Sequence, residues 1–205
     1  MTTIIGSDES LKGDTFGGIA VAAVRADDST RRTLEKLGVR DSKTISDNKI
    51  RLLSERIKKT APVFFVSMLP EEFNEEITRY GTTEVLNKLH TKCINALKHG
   101  EEEIIVDQYP GCRIEGAKLL THAENKYAEV AAASIIARAE AIKQMKELSC
   151  SAGFELPFGS THVLDALVRI RDEGKDFRKF AKTSFRNVRD VMINQNLAPQ
   201  KLKNF

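Results

Sequence analysis

Ile4-Ile5-Gly6-Ser7-Asp8-Glu9, followed by the basic, glycine-bearing turn Ser10-Leu11-Lys12-Gly13-Asp14, is the stretch from which the rest of this 205-residue chain is read. An isoleucine-led strand that runs straight into two carboxylates holds negative charge near a core, and a hard divalent cation is the usual compensation. Two further acids sit in comparable settings. Glu101-Glu102-Glu103-Ile104-Ile105-Val106-Asp107 ends a second apolar run on Asp107, and Leu119-Leu120-Thr121-His122-Ala123-Glu124 brings Glu124 to the mouth of a long alanine-rich helix. Four carboxylates at the ends of separate elements predict a site for Mg2+ or Mn2+. Consecutive residues of a regular strand point to opposite faces, so Asp8 and Glu9 are expected to aim at one site only if the strand ends or distorts at Glu9.

Outward from this stretch the pattern is α/β. Residues 3–8 and about 17–25 read as apolar strands joined through Gly13 and Gly17-Gly18, as in a hairpin. Ser46 offers an N-cap for a helix running to about Lys59, with Ile50, Leu53 and Ile57 on one side. Pro62 to Met68 is strand-like. Pro70 with Glu71-Glu72 opens a short helix, Gly81 interrupts, and Thr82 or Thr83 begins a longer helix expected to stop at Gly100. After the Asp107 strand and Glu124 a helix is expected from about Tyr127 to Leu148, then a loop with Gly153, Pro157 and Gly159, and finally two or three helices. Strands first, alternating elements next and helices last describe a sheet with helical flanks.

Composition narrows the class. The chain is 41% apolar, which suits one domain with a sizeable core. Its N-terminus opens into strand-like sequence rather than a charged segment with an apolar h-region, and no apolar stretch approaches the roughly 18 residues of a spanning helix. A cytoplasmic protein is expected. Cys93, Cys112 and Cys150 are odd in number and form no Cys-x-x-Cys pattern, so they read as reduced and structural; His122 has no partner at zinc-ligand spacing. The net charge of +3 is unevenly spread, with ten Lys/Arg against four Asp/Glu in residues 166–205. Arg169, Arg171, Lys175, Arg178, Lys179, Lys182, Arg186 and Arg189 are expected to line either a phosphate-tracking surface or an ordinary solvated helix face.

Taken together and in order, these segments resemble the type 2 ribonucleases H, and within them ribonuclease HIII more than ribonuclease HII. Gly6-Ser7-Asp8-Glu9 with Gly13-Asp14 and Phe16-Gly17 is similar to the opening motif, and Asp41-Ser42-Lys43 to the Asp-Ser-Lys signature. Ile105-Val106-Asp107-Gln108-Tyr109 resembles the strand of the third acid, and His122 to Lys126 with Val130 to Arg138 the segment of the fourth. The resemblance implies a ribonuclease H-like mixed β-sheet flanked by helices, with a helical C-terminal region. Residues 1–194 would form the catalytic domain and 195–205 a tail. It implies an endoribonuclease that hydrolyses the RNA strand of RNA/DNA hybrids, leaving 5′-phosphate and 3′-hydroxyl ends. Asp8, Glu9, Asp107 and Glu124 would be the catalytic ligands of two Mg2+ or Mn2+ ions, with Asp107 bridging. Two ions about 3.5–4 Å apart activate a water on one side of phosphorus and relieve charge on the leaving oxygen on the other.

The chain departs from the family at Ser10-Leu11-Lys12-Gly13, where Gly-x-Gly is usual and the backbone approaches the ribose 2′-hydroxyl. Leu11 takes the first glycine position, so a side chain is expected to restrict that approach, while Lys12 and Gly13 remain candidates for the scissile phosphate. Lys43, in a segment that also reads as a plain capping turn, becomes a phosphate contact or site-ordering lysine. Ser134, among small residues that suit close packing, and Lys182 are further substrate-contact candidates. Ser160 stands where ribonuclease HII relatives place a tyrosine, which favours the HIII type and a need for several consecutive ribonucleotides. HIII members usually carry an extra N-terminal substrate-binding domain; this chain begins at the catalytic strand, so hybrid affinity is expected to rest on the basic C-terminal region. The tail from Gln200 to Phe205 loosely resembles peptides that dock on sliding clamps, and a monomer is expected. Two alternatives stay open: an HII-type enzyme incising at single ribonucleotides or RNA–DNA junctions, and a catalytically weakened hybrid-binding protein.

Overall fold

In the computed structural model, which describes residues 2–39 and 46–194, β1 (Ile4–Ser10) and β2 (Ile19–Ala26) pair antiparallel from Ile4 opposite Ala26 to Ser10 opposite Ala20. The Asp41-Ser42-Lys43 signature and the C-terminal tail lie outside the described residues. β3 (Val63–Met68) adds antiparallel to the outer edge of β2. On the other side of β1, β4 (Glu103–Asp107) and β5 (Ala117–Leu120) run parallel, giving the strand order β3-β2-β1-β4-β5. The central strands read as near-continuous apolar runs because helices cover both faces of the sheet.

Seven α-helices are described. α1 (Asp28–Lys36) is capped by Asp27, whose carboxylate accepts the Thr30 N–H at 2.8 Å. α2 (Asp47–Thr60) follows Ser46, which makes no side-chain capping bond. α3 (Pro70–Tyr80) and α4 (Thr82–Asn95) lie on one face, where Phe73, Val85 and Leu89 meet Ile5, Val21 and Val106. α5 (Ala128–Ala152) joins α1 and α2 on the opposite face, where Leu34, Ile57, Ala132 and Ile135 meet Ala22 and Val24. α6 (Leu164–Asp172) and α7 (Arg186–Ile193) form a second core with the distal half of α5, built on Phe16, Met145, Leu167 and Val188. Among the described residues no helix is long and apolar enough to cross a membrane.

Two boundaries differ from expectation, and two elements are additional. α4 ends at Asn95, not at Gly100, because Glu102 organises the intervening turn: its carboxylate accepts the N–H of Gly100 at 2.8 Å and pairs with Arg25 at 3.0 Å. α5 continues past Leu148 to Ala152, where Gly153 terminates it in the left-handed region at φ 80°. β5 and α1 carry too short a pattern to stand out before the fold supplies their partners.

The alanine content of α5 sets how closely it approaches β1. A Cβ on Gly6 would lie 2.4 Å from the backbone of Glu129 and Val130, so only glycine permits this contact. At the far end of the hairpin, the C-terminal region grips the segment that follows β1. Thr15 N–H donates to the Gly159 carbonyl at 2.9 Å, Gly17 N–H to Phe180 at 2.9 Å, and Gly159 N–H to the Asp14 carboxylate at 2.7 Å. Lys182 is only 1% exposed, and its ammonium donates to the carbonyls of Asp14 at 2.7 Å and Gly17 at 2.9 Å. The substrate contact expected of Lys182 is therefore not what its surroundings offer; it clamps the loop beside the site from within.

Gly6→Ala should lower unfolding stability by about 1–3 kcal/mol or more through overpacking against backbone. Gly13→Ala, where a Cβ meets nothing within 4 Å, should leave denaturant midpoints nearly unchanged. Desolvation lowers the Lys182 pKa to about 7, below its ordinary value of 10.5. Above that folded-state pKa the native protein has shed a proton that the unfolded chain keeps, so raising pH favours the native state. Urea unfolding should thus show the wild type gaining stability on Lys182→Met from pH 7 to 9.5, by at most about 1.4 kcal/mol per pH unit.

Candidate active site

The alternation of β1 decides where its two acids go. Ile5 packs toward α4, and Ser7 and Glu9 on the same face meet His90 of that helix. Gly6 meets the α5 backbone, and Asp8 on that side meets Ser134. The break expected at Glu9 is absent: β1 keeps its pairing with β2 through Ser10. What opens the site is the other edge. Pairing with β4 stops at Ser7 opposite Val106, so Asp8 and Glu9 stand on a projecting piece of strand, with Asp107 at the tip of its neighbour.

Each carboxylate is held by a local device. The Glu9 N–H donates to Asp8 Oδ1 at 2.7 Å. Asp107 Oδ1 accepts the Ala123 N–H at 2.8 Å, which fixes the short 3-10 turn Ala123–Asn125. That turn follows His122, itself left-handed at φ 55°, and sets Glu124 within reach of Asp107. His122 Nδ1 stands 3.8 Å from Glu124 Oε1. On the opposite face Glu9 Oε1 takes the ammonium of Lys12, and Glu9 Oε2 lies 3.3 Å from His90 Nε2.

The charges do not balance. Burial, then the neighbouring charges of Glu9 and Asp107, push Asp8 well above the usual carboxylate range; the Ser134 hydroxyl and the Glu9 N–H oppose this only in part. Asp107 is raised as well, by burial and by Glu124 and Glu9, against the Ala123 N–H. Glu9 goes the other way. Burial would raise it, but His90 and then Lys12 outweigh that and hold it below its ordinary value.

Leu11 occupies the left-handed region at φ 72°, which costs a non-glycine residue about 1–2 kcal/mol. Its side chain is 2% exposed and packs with Phe16 and Met145, a burial contributing about 1.5–3 kcal/mol, so packing offsets the strain. The side chain thus points into the core and does not cover the turn, whose Lys12 and Gly13 are exposed. The turn is closed by Asp14 N–H donating to the Leu11 carbonyl at 3.1 Å. Ser10 is half-buried at the end of β1. Lys43 is outside the described residues. His90 went unread in the sequence, although it falls at a core-facing position of α4 beside Leu89 and Cys93, where a polar side chain is unusual.

The basic C-terminal surface is largely matched by its own acids. Arg169 pairs with Glu173 at 2.7 Å, Arg171 with Asp172 at 2.8 Å, Arg178 with Asp176 at 2.7 Å and Arg186 with Asp190 at 3.6 Å, while Lys175 contacts Glu173. These exposed pairs are worth little to stability.

As they stand, no three Asp, Glu, His or Cys side chains among the described residues are drawn close enough to hold one ion. The chemistry of the group nevertheless fits a hard cation: its donors are all carboxylate oxygens, and Asp8 and Asp107 are both destabilised as anions by their neighbours. The fit is one of donor type and uncompensated charge, not of a closed coordination shell.

Over most of its length the chain is similar to known proteins. Ribonuclease HIII of Limosilactobacillus fermentum is 31% identical over 203 residues, covering 90% of this chain and 67% of that one. Ribonuclease HIII of Mycoplasma pneumoniae is 33% identical, covering 90% of this chain and 92% of the relative. The crystal structure of Bst-RNase HIII in complex with Mn2+ superposes with a TM-score of 0.82 at 32% identity, over 94% of this chain and 70% of that one. The family model described as Ribonuclease HII matches residues 5–188, and with these relatives it shows that the chain belongs to the type 2 ribonuclease H family of nucleases.

Proposed function

We propose that the protein is an endoribonuclease of the HIII type, hydrolysing the RNA strand of RNA/DNA hybrids at Asp8, Glu9, Asp107 and Glu124. The observation that carries this reading is that acids from β1, β4 and the 123–125 turn stand at one end of the sheet, with the Asp107 carboxylate pinning the turn that carries Glu124. Such a cluster is costly to keep buried without a cation. Bound Mg2+ or Mn2+ would supply an activated water and charge relief for the leaving 3′ oxygen.

The protein's own groups do the positioning. Asp8, Asp107 and Glu124, from the α5 side of the sheet, and Glu9, from the α4 side, would supply the oxygens that hold the ions. Ser134 favours the charged form of Asp8. The exposed turn at Lys12 and Gly13, with the Leu11 side chain turned inward, is free to approach the ribose, and Lys12 stands beside Glu9 where a phosphate would arrive. The HIII subtype rests on the relatives and on Ser160, an exposed residue whose carbonyl accepts from Asn187 at 3.2 Å and which has no ring to stack at a junction.

Asp107→Asn should reduce cleavage at least about a hundredfold, more than loss of an outer partner of a ligand typically costs, while hybrid binding in EDTA is retained. Cleavage at the wild-type rate would remove Asp107 from the ligand set. On two end-labelled duplexes, with Mg2+ or Mn2+, the protein should cut a full RNA/DNA hybrid and spare DNA carrying a single ribonucleotide. Efficient incision at the single ribonucleotide would assign it instead to the HII type, and cutting of neither would leave a hybrid-binding role.

A further inference from the structure

A histidine with no solvent exposure must find partners for both ring nitrogens inside the fold. His90 of α4 is such a residue. Its Nδ1 lies 2.8 Å from Ser7 Oγ, and Ser7 Oγ also lies 2.8 Å from the Ala22 carbonyl. Its ring packs on Tyr109 with centroids 5.3 Å apart, and the Tyr109 hydroxyl donates to Asn87 Oδ1 at 2.8 Å. The imidazole is thereby fixed on its far side and across one face. The remaining nitrogen, Nε2, has Glu9 Oε2 at 3.3 Å, and among the described residues neither atom has a hydrogen-bond partner.

The proton count narrows the arrangement. Ser7 has one hydroxyl proton and two acceptors in reach. Given to His90 Nδ1, it leaves Nε2 carrying the proton of a neutral ring, aimed at Glu9. Given to the Ala22 carbonyl, it requires Nδ1–H to donate to Ser7, and only a ring protonated on both nitrogens then avoids turning a lone pair on a carboxylate. In both favourable cases an N–H faces Glu9. Lys12, the other partner of Glu9, is exposed and sits on a turn, so it can leave for an arriving phosphate. His90 cannot leave.

We propose that His90, anchored by Ser7 and Tyr109, is a positioning residue that fixes the Glu9 carboxylate for ion binding from beneath the sheet. The proposal rests on the reading of Glu9 as an ion ligand. A ligand held by a second residue binds its metal more tightly because its orientation is settled in advance, and losing such a partner typically lowers metal affinity about 10–100-fold.

Calorimetric titration of Mn2+ into the protein without nucleic acid tests this. His90→Leu should weaken Mn2+ binding by about 10–100-fold, and His90→Gln, whose amide N–H reaches a similar place, should recover most of it. Hybrid binding in EDTA should be unchanged in both. A folded His90→Leu variant with Mn2+ affinity within about twofold of wild type would overturn the proposal, since filling the space would then suffice. Should that variant fail to fold, Ser7→Ala carries the same test: it keeps the ring buried, releases its anchor, and overturns the proposal if Mn2+ affinity is unchanged. Absence of Mn2+ binding by the unaltered protein would instead overturn the reading of Glu9 as a ligand, and this one with it.

Discussion

Two adjacent carboxylates on a central strand cannot share a face of the sheet, and the rest of the molecule is arranged around that constraint. Asp8 is turned toward α5 and Glu9 toward α4, and each needs its own support. The early end of the β1–β4 ladder lets the two charges communicate across the open edge. Desolvation and mutual repulsion press Asp8 and Asp107 toward protonation, while His90 and Lys12 keep Glu9 ionised. The protein thus stores an imbalance of negative charge at one end of the sheet, which a hard cation would relieve.

The approach of α5 to β1 serves the same end. Gly6 and the alanines of α5 remove the side chains that would hold helix and strand apart, and the contact brings Ser134 to Asp8. The 123–125 turn at the head of that helix is pinned by Asp107 itself, so one acid fixes the backbone that presents the next. On the other side of the hairpin, the Lys182 clamp and the Asp14 and Gly17 bonds tie the Leu11–Gly18 segment to the C-terminal helices. The turn that would meet the ribose is therefore rigid at its base while Lys12 and Gly13 remain exposed.

Much of this could be read from the chain, because apolar runs that end in acids are visible without partners. β1, β2, β3 and β4, the long alanine-rich helix and the four acids are of that kind. Contacts between distant segments are not. Nothing local says that Leu11 turns inward onto Met145, that Lys182 spends its charge on two carbonyls of the hairpin loop, or that the ring beneath Glu9 comes from α4. An isolated strand needs a break at Glu9 to bring both acids to one site. It is unnecessary here because the neighbouring strand ends first.

The central claim is that Asp8, Glu9, Asp107 and Glu124 form one divalent-ion centre. Anomalous diffraction from crystals of the protein grown with Mn2+ tests it most directly. Strong peaks are expected at the open end of β1 and β4, coordinated by oxygens of these four residues. Mn2+ bound elsewhere, with the four carboxylates left uncoordinated, would contradict it.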